Sequence, residues 1–111
     1  MEDWNKKLIT AASTGNIEAL KLSLQNGSDI DYQDTAGRTA LMAAARRGHL
    51  EITRLLLDSQ CNTDITNVIG VTALMLAAQY GHLEIIRLLL NSRCNTDITD
   101  TDLIIISTNT C

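Results

Sequence analysis

The sequence predicts an all-α solenoid of stacked helix–turn–helix units, because one unit is written twice along the chain. Residues 34–66 and 67–99 are identical at 23 of 33 aligned positions. Each copy holds two apolar segments, separated by a glycine and followed by a polar stretch rich in turn-forming residues. A repeat period of about 20–50 residues is typical of architectures in which neighbouring units bury one another's apolar faces.

The first apolar segment of the unit predicts a short helix with a face of small residues. Leu41, Ala44 and Ala45 occupy positions i, i+3 and i+4, which lie on one side of a helix. Because alanine adds little bulk, this face is nearly flat and lets a second helix approach closely. Gly48 follows and predicts the end of the helix, since glycine readily takes up the positive φ common at helix C-termini.

The second segment, residues 50–57, predicts a longer and more apolar helix that lies between neighbouring units. Its large aliphatic residues are Leu50, Ile52, Leu55, Leu56 and Leu57. Residues 58–70 then predict a projecting turn or hairpin, because turn-forming residues are frequent there. These residues are Ser59, Asn62, Asp64, Asn67 and Gly70.

In this order of elements the unit resembles an ankyrin repeat, a 33-residue module of a turn and two helices. The residues that carry the resemblance are Gly37-Arg38-Thr39-Ala40-Leu41-Met42-Ala43-Ala44-Ala45 and Gly48-His49-Leu50-Glu51-Ile52-Thr53-Arg54-Leu55-Leu56-Leu57. It extends to a diverged copy, in which matching residues lie 33 positions earlier: Leu8, Ala11, Ala12, Gly15, Glu18, Leu22, Leu24 and Asp31. The resemblance implies an N-terminal capping repeat at residues 1–33, full repeats at 34–66 and 67–99, and a degenerate tail at 100–111.

One departure from the family pattern concerns the glycine that follows the second helix. It is kept as Gly27 but is Gln60 and Arg93 in the other two copies. If the backbone stays left-handed at these positions, each side chain costs about 1 kcal/mol of stability.

The two ends of the chain predict different structures. Polar side chains on the first repeat (Lys6, Lys7, Glu18 and Lys21) predict a cap with a hydrated outer face and a natural domain start. A stack also needs a terminal unit with a polar outer face, and the last residues resemble none. The apolar run Leu103–Ile106 leaves three alternatives: it docks on the third repeat, it is a disordered end, or the last face and tail pair with a second copy.

Composition and charge exclude several classes of protein. A net charge of −4 and a pI near 4.9 argue against nucleic-acid binding, which needs a concentrated positive surface. No apolar run approaches the ~18 residues of a membrane span, and the first residues lack a signal-peptide pattern.

Cys61, Cys94 and Cys111 form no plausible disulfide framework, and Cys61 and Cys94 are read as small buried side chains. These thiols favour the cytosol or the nucleus.

The sequence predicts no enzyme, no cofactor and no metal site. His49 and His82 are equivalent repeat positions without a converging third ligand, and in the ankyrin family this histidine is structural. Asp29, Asp31 and Asp34 resemble the start of a calcium loop, but the later glycine and glutamate of such a loop are absent. We therefore interpret these aspartates as turn residues.

The differences between the two full repeats point to a surface that contacts partners. Six of the ten lie on the turn tip and the first helix, which by resemblance line the concave binding surface of an ankyrin stack. Sequence drift at exposed positions is the alternative interpretation. The predicted partner-binding residues are Thr35, Ala36, Arg38, Arg46, Arg47, Val68, Ile69, Val71, Gln79 and Tyr80.

The resulting functional hypothesis is a non-catalytic protein–protein interaction module. The arginines of the second repeat would meet acidic groups of the partner. Ile69, Val71 and Tyr80 would meet apolar side chains, because clustered exposed apolar residues tend to mark interaction sites. The alternative is that the chain is the N-terminal fragment of a longer ankyrin-repeat scaffold and has no partner of its own.

Overall fold

The computed structural model of the protein describes residues 3–91, which form three stacked pairs of helices. The helices are α1 (Trp4–Thr14), α2 (Ile17–Gln25), α3 (Ala40–Arg47), α4 (Leu50–Asp58), α5 (Ala73–Gln79) and α6 (Leu83–Asn91). Between residues 3 and 91 there is no strand, so turns rather than hairpins connect the pairs. The predicted all-α solenoid is confirmed.

The helices form two layers, with the first helix of each pair in one layer and the second helix in the other. Helix α3 packs between α1 and α5, and α4 packs between α2 and α6. Ala44 and Ala45 of α3 are completely buried, as the small-residue face predicted. Leu56 of α4 and Leu8 of α1 are equally buried, so the core runs continuously through the repeats.

Side chains just before the helices satisfy backbone N–H groups that would otherwise lack partners. The hydroxyl oxygen of Thr39 accepts a hydrogen bond from the Met42 N–H at 3.2 Å, and Thr72 accepts one from Met75 at the same distance. Such caps stabilise a helix by about 0.5–2 kcal/mol. The repeated threonine therefore sets where the first helix of each full repeat begins.

An imidazole joins each repeat to the one before it. The Nε2 atoms of His49 and His82 lie 2.9 and 3.0 Å from the carbonyl oxygens of Ser13 and Arg46, to which they donate. Each histidine also directly precedes a second helix, since α4 and α6 begin at the next residue. The predicted structural role of both histidines is confirmed.

Each ring lies directly against a glycine of the preceding repeat. A Cβ atom built on Gly15 would lie 2.8 Å from the Cε1 atom of His49, and one on Gly48 would lie 2.7 Å from that of His82. Both glycines also have positive φ, 80° and 79°. Glycine is therefore required at these positions for two reasons: the backbone has positive φ, and the imidazole leaves no space for a Cβ atom.

The aspartates that resembled a calcium loop bind backbone groups of the turns. Asp29 accepts a hydrogen bond from the Asp31 N–H at 3.0 Å. Asp31 in turn accepts one from Asn62 of the next repeat at 2.8 Å. Asp34 accepts bonds within its own turn, as described below. The interpretation of these residues as turn residues is confirmed.

Four charged residues that predicted a hydrated face on the first repeat are exposed: Lys6, Lys7, Glu18 and Lys21. Leu22 of the same repeat is also exposed, at 49%. Helix α1 is capped by Asp3, whose side chain accepts from the Lys6 N–H at 3.2 Å.

The residue after α4 adopts the left-handed conformation in spite of its side chain. Gln60 has φ 63° and is the one non-glycine residue with positive φ in the part of the chain described. Its equivalent in the first repeat, Gly27, has φ 84°. The left-handed backbone is thus kept at Gln60, whereas Arg93 lies outside the described residues.

Of the predictions for the cysteines and the apolar run, only the one for Cys61 falls within the described residues. Cys61 is half-buried at the edge of the core rather than fully buried, which corrects the prediction for that position. Cys94, Cys111 and the apolar run Leu103–Ile106 lie outside the described residues.

Replacing Gln60 by glycine is expected to raise the free energy of unfolding by about 0.5–1 kcal/mol, since glycine carries no Cβ penalty at positive φ. The denaturant midpoint should rise while the slope of the transition stays constant. The reverse exchange, Gly27→Gln, is the matched control and should lower the midpoint. A midpoint that falls in Gln60→Gly at constant slope contradicts the cap assignment.

Alanine at Gly48 is expected to destabilise the protein more than alanine at Gly81. Both glycines have positive φ, 79° and 72°, but only Gly48 has a ring of another described repeat within 3 Å of the new Cβ. We expect an additional loss of about 1–3 kcal/mol, typical of overpacking. Denaturant melts measure both variants, and the additional loss should shrink when His82 is also replaced by alanine. Equal losses for the two single variants would show that the ring contact is unimportant.

Candidate partner-binding surface

A groove of about 430 Å³ crosses all three repeats along the layer of first helices. Helix α1 contributes Ile9, Thr10, Ser13 and Thr14, and α3 contributes Met42, Ala43, Arg46 and Arg47. The third repeat and the turns contribute Arg38, Asn67, Ile69, Val71, Leu76, Gln79 and Tyr80. Its volume falls in the range of small-molecule pockets, about 300–1,000 Å³, but it is an open trough that spans three repeats.

Seven of the ten predicted partner-binding residues line this groove. They are Arg38, Arg46, Arg47, Ile69, Val71, Gln79 and Tyr80. The other three, Thr35, Ala36 and Val68, lie on the turn tips outside it. There the Val68 N–H donates to the Ala36 carbonyl at 3.1 Å, which ties neighbouring tips together.

Sequence reasoning missed the contribution of the first repeat. Thr10, Ser13 and Thr14 of α1 line the groove. They were missed because the predicted surface rests on the differences between the two full repeats alone. The signal was available, because these residues lie 33 positions before Ala43, Arg46 and Arg47. Leu76 was also missed, even though it differs from its counterpart Ala43.

The groove carries positive charge in a chain whose net charge is −4. Arg38, Arg46 and Arg47 line it, and among residues 3–91 no aspartate or glutamate does. Arg46 and Arg47 have no salt bridge to any carboxylate within residues 3–91, and both are exposed. The repeats thus segregate charge and concentrate cations on one surface.

Arg46 is held in place by the third repeat. Its Nε lies 3.4 Å from the hydroxyl of Tyr80, and its Cζ lies 5.6 Å from the centre of the Tyr80 ring. A cation over an aromatic face gains about 0.5–1 kcal/mol at exposed sites. The Tyr80 ring is in turn stacked on His82, with centroids 6.5 Å apart and planes 15° from parallel. Because His82 also bonds the Arg46 carbonyl, the three residues form a closed set of contacts.

Arg38 differs from Arg46 because a carboxylate already pairs with it. The Oδ2 atom of Asp34 accepts a hydrogen bond from Arg38 Nε at 2.9 Å and forms an ion pair with Nη2 at 2.8 Å. Its Oδ1 atom accepts from the N–H groups of Ala36 at 3.0 Å and Arg38 at 2.9 Å. Partial burial raises the pKa of Asp34, but the hydrogen bonds and charge of Arg38 outweigh it and lower the pKa below 3.8.

The other part of the groove is apolar. Ile69 is 78% exposed at its rim, while Val71 and Leu76 are half-buried beside it. Val68, on the neighbouring tip, is 71% exposed. Clusters of exposed apolar side chains tend to mark interaction surfaces.

The chain belongs to the ankyrin repeat family. A family model of ankyrin repeats, in three copies, matches residues 8–102 of the 111. Ankyrin repeats generally serve as protein–protein interaction modules and are generally not catalytic. A search of curated proteins found no match to this chain.

From residue 3 to residue 91, no helix has the length and apolar character needed to cross a bilayer. Over the same residues, no three histidine, cysteine or acidic side chains come together as metal ligands.

The Asp34–Arg38 pair is expected to make stability depend on pH at the acidic end. Because the folded state lowers the pKa of Asp34, the pair stabilises the protein above the ordinary value of 3.8, and this contribution is lost as pH falls through the lowered pKa. The difference in unfolding free energy between the wild type and Asp34→Asn should therefore be constant near neutral pH and shrink below pH 3.8. Denaturant melts across this range provide the measurement. A difference that stays the same at every pH would contradict the ion pair.

Proposed function

We propose that this protein is a non-catalytic interaction module that docks a partner segment carrying acidic and apolar side chains in its concave groove. The observation that carries the proposal is the segregation of charge described above. Within the described part of the chain, three arginines and no carboxylate line a groove, although the whole chain has a net charge of −4. The module is built of repeats at residues 1–33, 34–66 and 67–99.

The acidic groups of the partner bind Arg46 and Arg47 on the central repeat. Guanidinium–carboxylate hydrogen bonds are charge-assisted and often bidentate, which gives both strength and orientation. The contact with Tyr80 orients Arg46 before the partner arrives, so less side-chain entropy is lost on binding. Opposite charges also accelerate encounter, and this effect weakens as salt is added.

The apolar side chains of the partner bind the third repeat. Ile69, Val71 and Leu76 present aliphatic surface, and the ring of Tyr80, 47% exposed, lines the same groove and contacts Arg46. Fully burying one aliphatic or aromatic side chain contributes about 1.5–3 kcal/mol. The second repeat therefore supplies the arginines, and the third repeat supplies aliphatic and aromatic side chains without an arginine.

Positions that are identical in the two full repeats support the fold, and several of the positions that differ between them line the groove. The residues that join the repeats, such as Gly48 and His82, keep their identity in both full repeats. Arg46 and Arg47 become Gln79 and Tyr80 at equivalent positions of the groove. This pattern supports a binding surface whose contacts are individual while its support is repeated.

One observation favours the second candidate, an N-terminal part of a longer scaffold without a partner of its own. Thr72 and Met75 of the third repeat are only half-buried, whereas their counterparts Thr39 and Met42 are almost completely buried by the next repeat. A further repeat would cover them. Intact mass of the native product distinguishes the candidates, since a scaffold continues past Cys111 with more repeats.

Two related proposals concern assembly and location. A second copy pairing through the last face of the stack would give a mass that depends on concentration in light scattering. We place the protein in the cytoplasm or the nucleus, where reduced thiols such as Cys61 are maintained. Fractionation of cells that express the tagged full chain tests this location.

Replacing both Arg46 and Arg47 by glutamate is expected to abolish capture of the partner, because the groove then repels acidic groups. Partners are identified by affinity capture with the wild-type chain and mass spectrometry. Binding of each identified partner is then measured at low and high salt, and salt should weaken it. The helical circular dichroism of the double variant should match that of the wild type, since both side chains are exposed.

The matched control is Arg54→Glu with Arg87→Glu. It changes the net charge equally, but Arg54 and Arg87 lie on the second helices and pair with Glu51 and Glu84. This control should retain the partners. Loss of capture in the control, or the same partners recovered by both double variants, would refute binding in the groove.

A further inference from the structure

The turns that precede α3 and α5 have the same shape but differ by a complete charge pair. Asp34 and Arg38 in the first turn correspond to Asn67 and Val71 in the second. In each turn, the side-chain Oδ1 atom accepts hydrogen bonds from the N–H groups two and four residues later, at 2.9–3.0 Å. The first residue also donates to the carbonyl of the last at 3.0 Å in both cases.

This comparison shows that the turn does not need the charge of Asp34. The neutral amide of Asn67 makes the same backbone contacts in the third repeat. What the carboxylate adds is its negative charge and its second oxygen, which accepts a hydrogen bond from Arg38 Nε and forms an ion pair with Nη2. Arg38 lines the groove, whereas Asp34 does not.

We propose that Asp34 is an internal counter-ion that withholds Arg38 from acidic partners and so sets how many cations the groove offers. The inference rests on the proposed function of the groove. In the free protein, Arg46 and Arg47 are the cations available to a partner, because Arg38 is already paired with Asp34. Asp34 is then a specificity-determining residue, although it lies outside the groove.

The position of the pair makes exchange of carboxylates feasible. The side chain of Arg38 is 47% exposed and that of Asp34 is 19% exposed, so solvent and partner groups reach the guanidinium. Exposed ion pairs contribute little to stability. However, Asp34 is tethered four residues away, and its effective concentration at Arg38 exceeds that of a carboxylate on a free partner. A partner carboxylate that binds Arg38 must displace Asp34, so it gains less binding free energy than a carboxylate that binds Arg46.

The test is a double-mutant cycle on the full chain. The probe is a fluorescein-labelled peptide of alternating glutamate and leucine, and anisotropy measures its affinity. Asp34→Asn should bind it about two- to fivefold more tightly, because Arg38 is released. Arg38→Val should bind it more weakly, because Asp34 is left unpaired. The double variant reproduces the natural pair of the third repeat and should return to wild-type affinity.

Two controls separate the inference from simpler effects. Asp31→Asn removes the same charge from a turn residue that does not line the groove, and should change affinity less than twofold. In nitrogen–proton NMR spectra, the Nε–H of Arg38 should exchange with water more slowly in the wild type than in Asp34→Asn. That readout depends on the ion pair alone and needs no partner.

The outcomes divide clearly. The inference is overturned if Asp34→Asn gains no affinity, or if the double variant binds more weakly than the wild type, since Arg38 would then already contribute. If the Arg46→Glu, Arg47→Glu variant still loses the probe in that case, the proposed function stands. If the wild type and Asp34→Asn both fail to bind the probe, both proposals fall.

Discussion

The stacking of the repeats depends on a ring placed against a glycine. His49 and His82 each donate to a carbonyl of the preceding repeat and lie against the glycine that ends its first helix. A Cβ at Gly15 or Gly48 would occupy the same space as the ring. Because this contact fixes the spacing between neighbouring first helices, it also fixes the groove between them. The shape of the groove is therefore a consequence of the contact that joins the repeats.

Most of the fold was predictable from the sequence because two copies of one repeat can be compared with each other. Whatever two copies share must serve the contacts that every copy makes, and this reasoning identified the helices, the small-residue face of α3 and the role of the histidines. Comparison with Gly27 identified Gln60 as the position where a left-handed backbone would carry a side chain, and Gln60 does have positive φ. Burial of Cys61 was predicted less well, since a position at the edge of a turn is only partly covered.

The candidate surface was predictable only in part, because side-chain pairing depends on distances that a repeat alignment does not contain. The differing positions located seven lining residues, but they assigned Arg38 and Arg46 the same role. The structure separates these two arginines, since Asp34 pairs with one and Tyr80 orients the other. The contribution of Thr10, Ser13 and Thr14 required the register of the diverged first repeat.

Arg46 takes part in two structures at once. Its carbonyl receives the imidazole that joins the second repeat to the third, and its guanidinium faces the groove. The stability of a linear array is a sum over its units and their interfaces. A partner of the proposed kind, bound across α3 and α5, would add its own contacts to the interface between the second and third repeats. Binding in the groove and opening of that interface would therefore be thermodynamically linked.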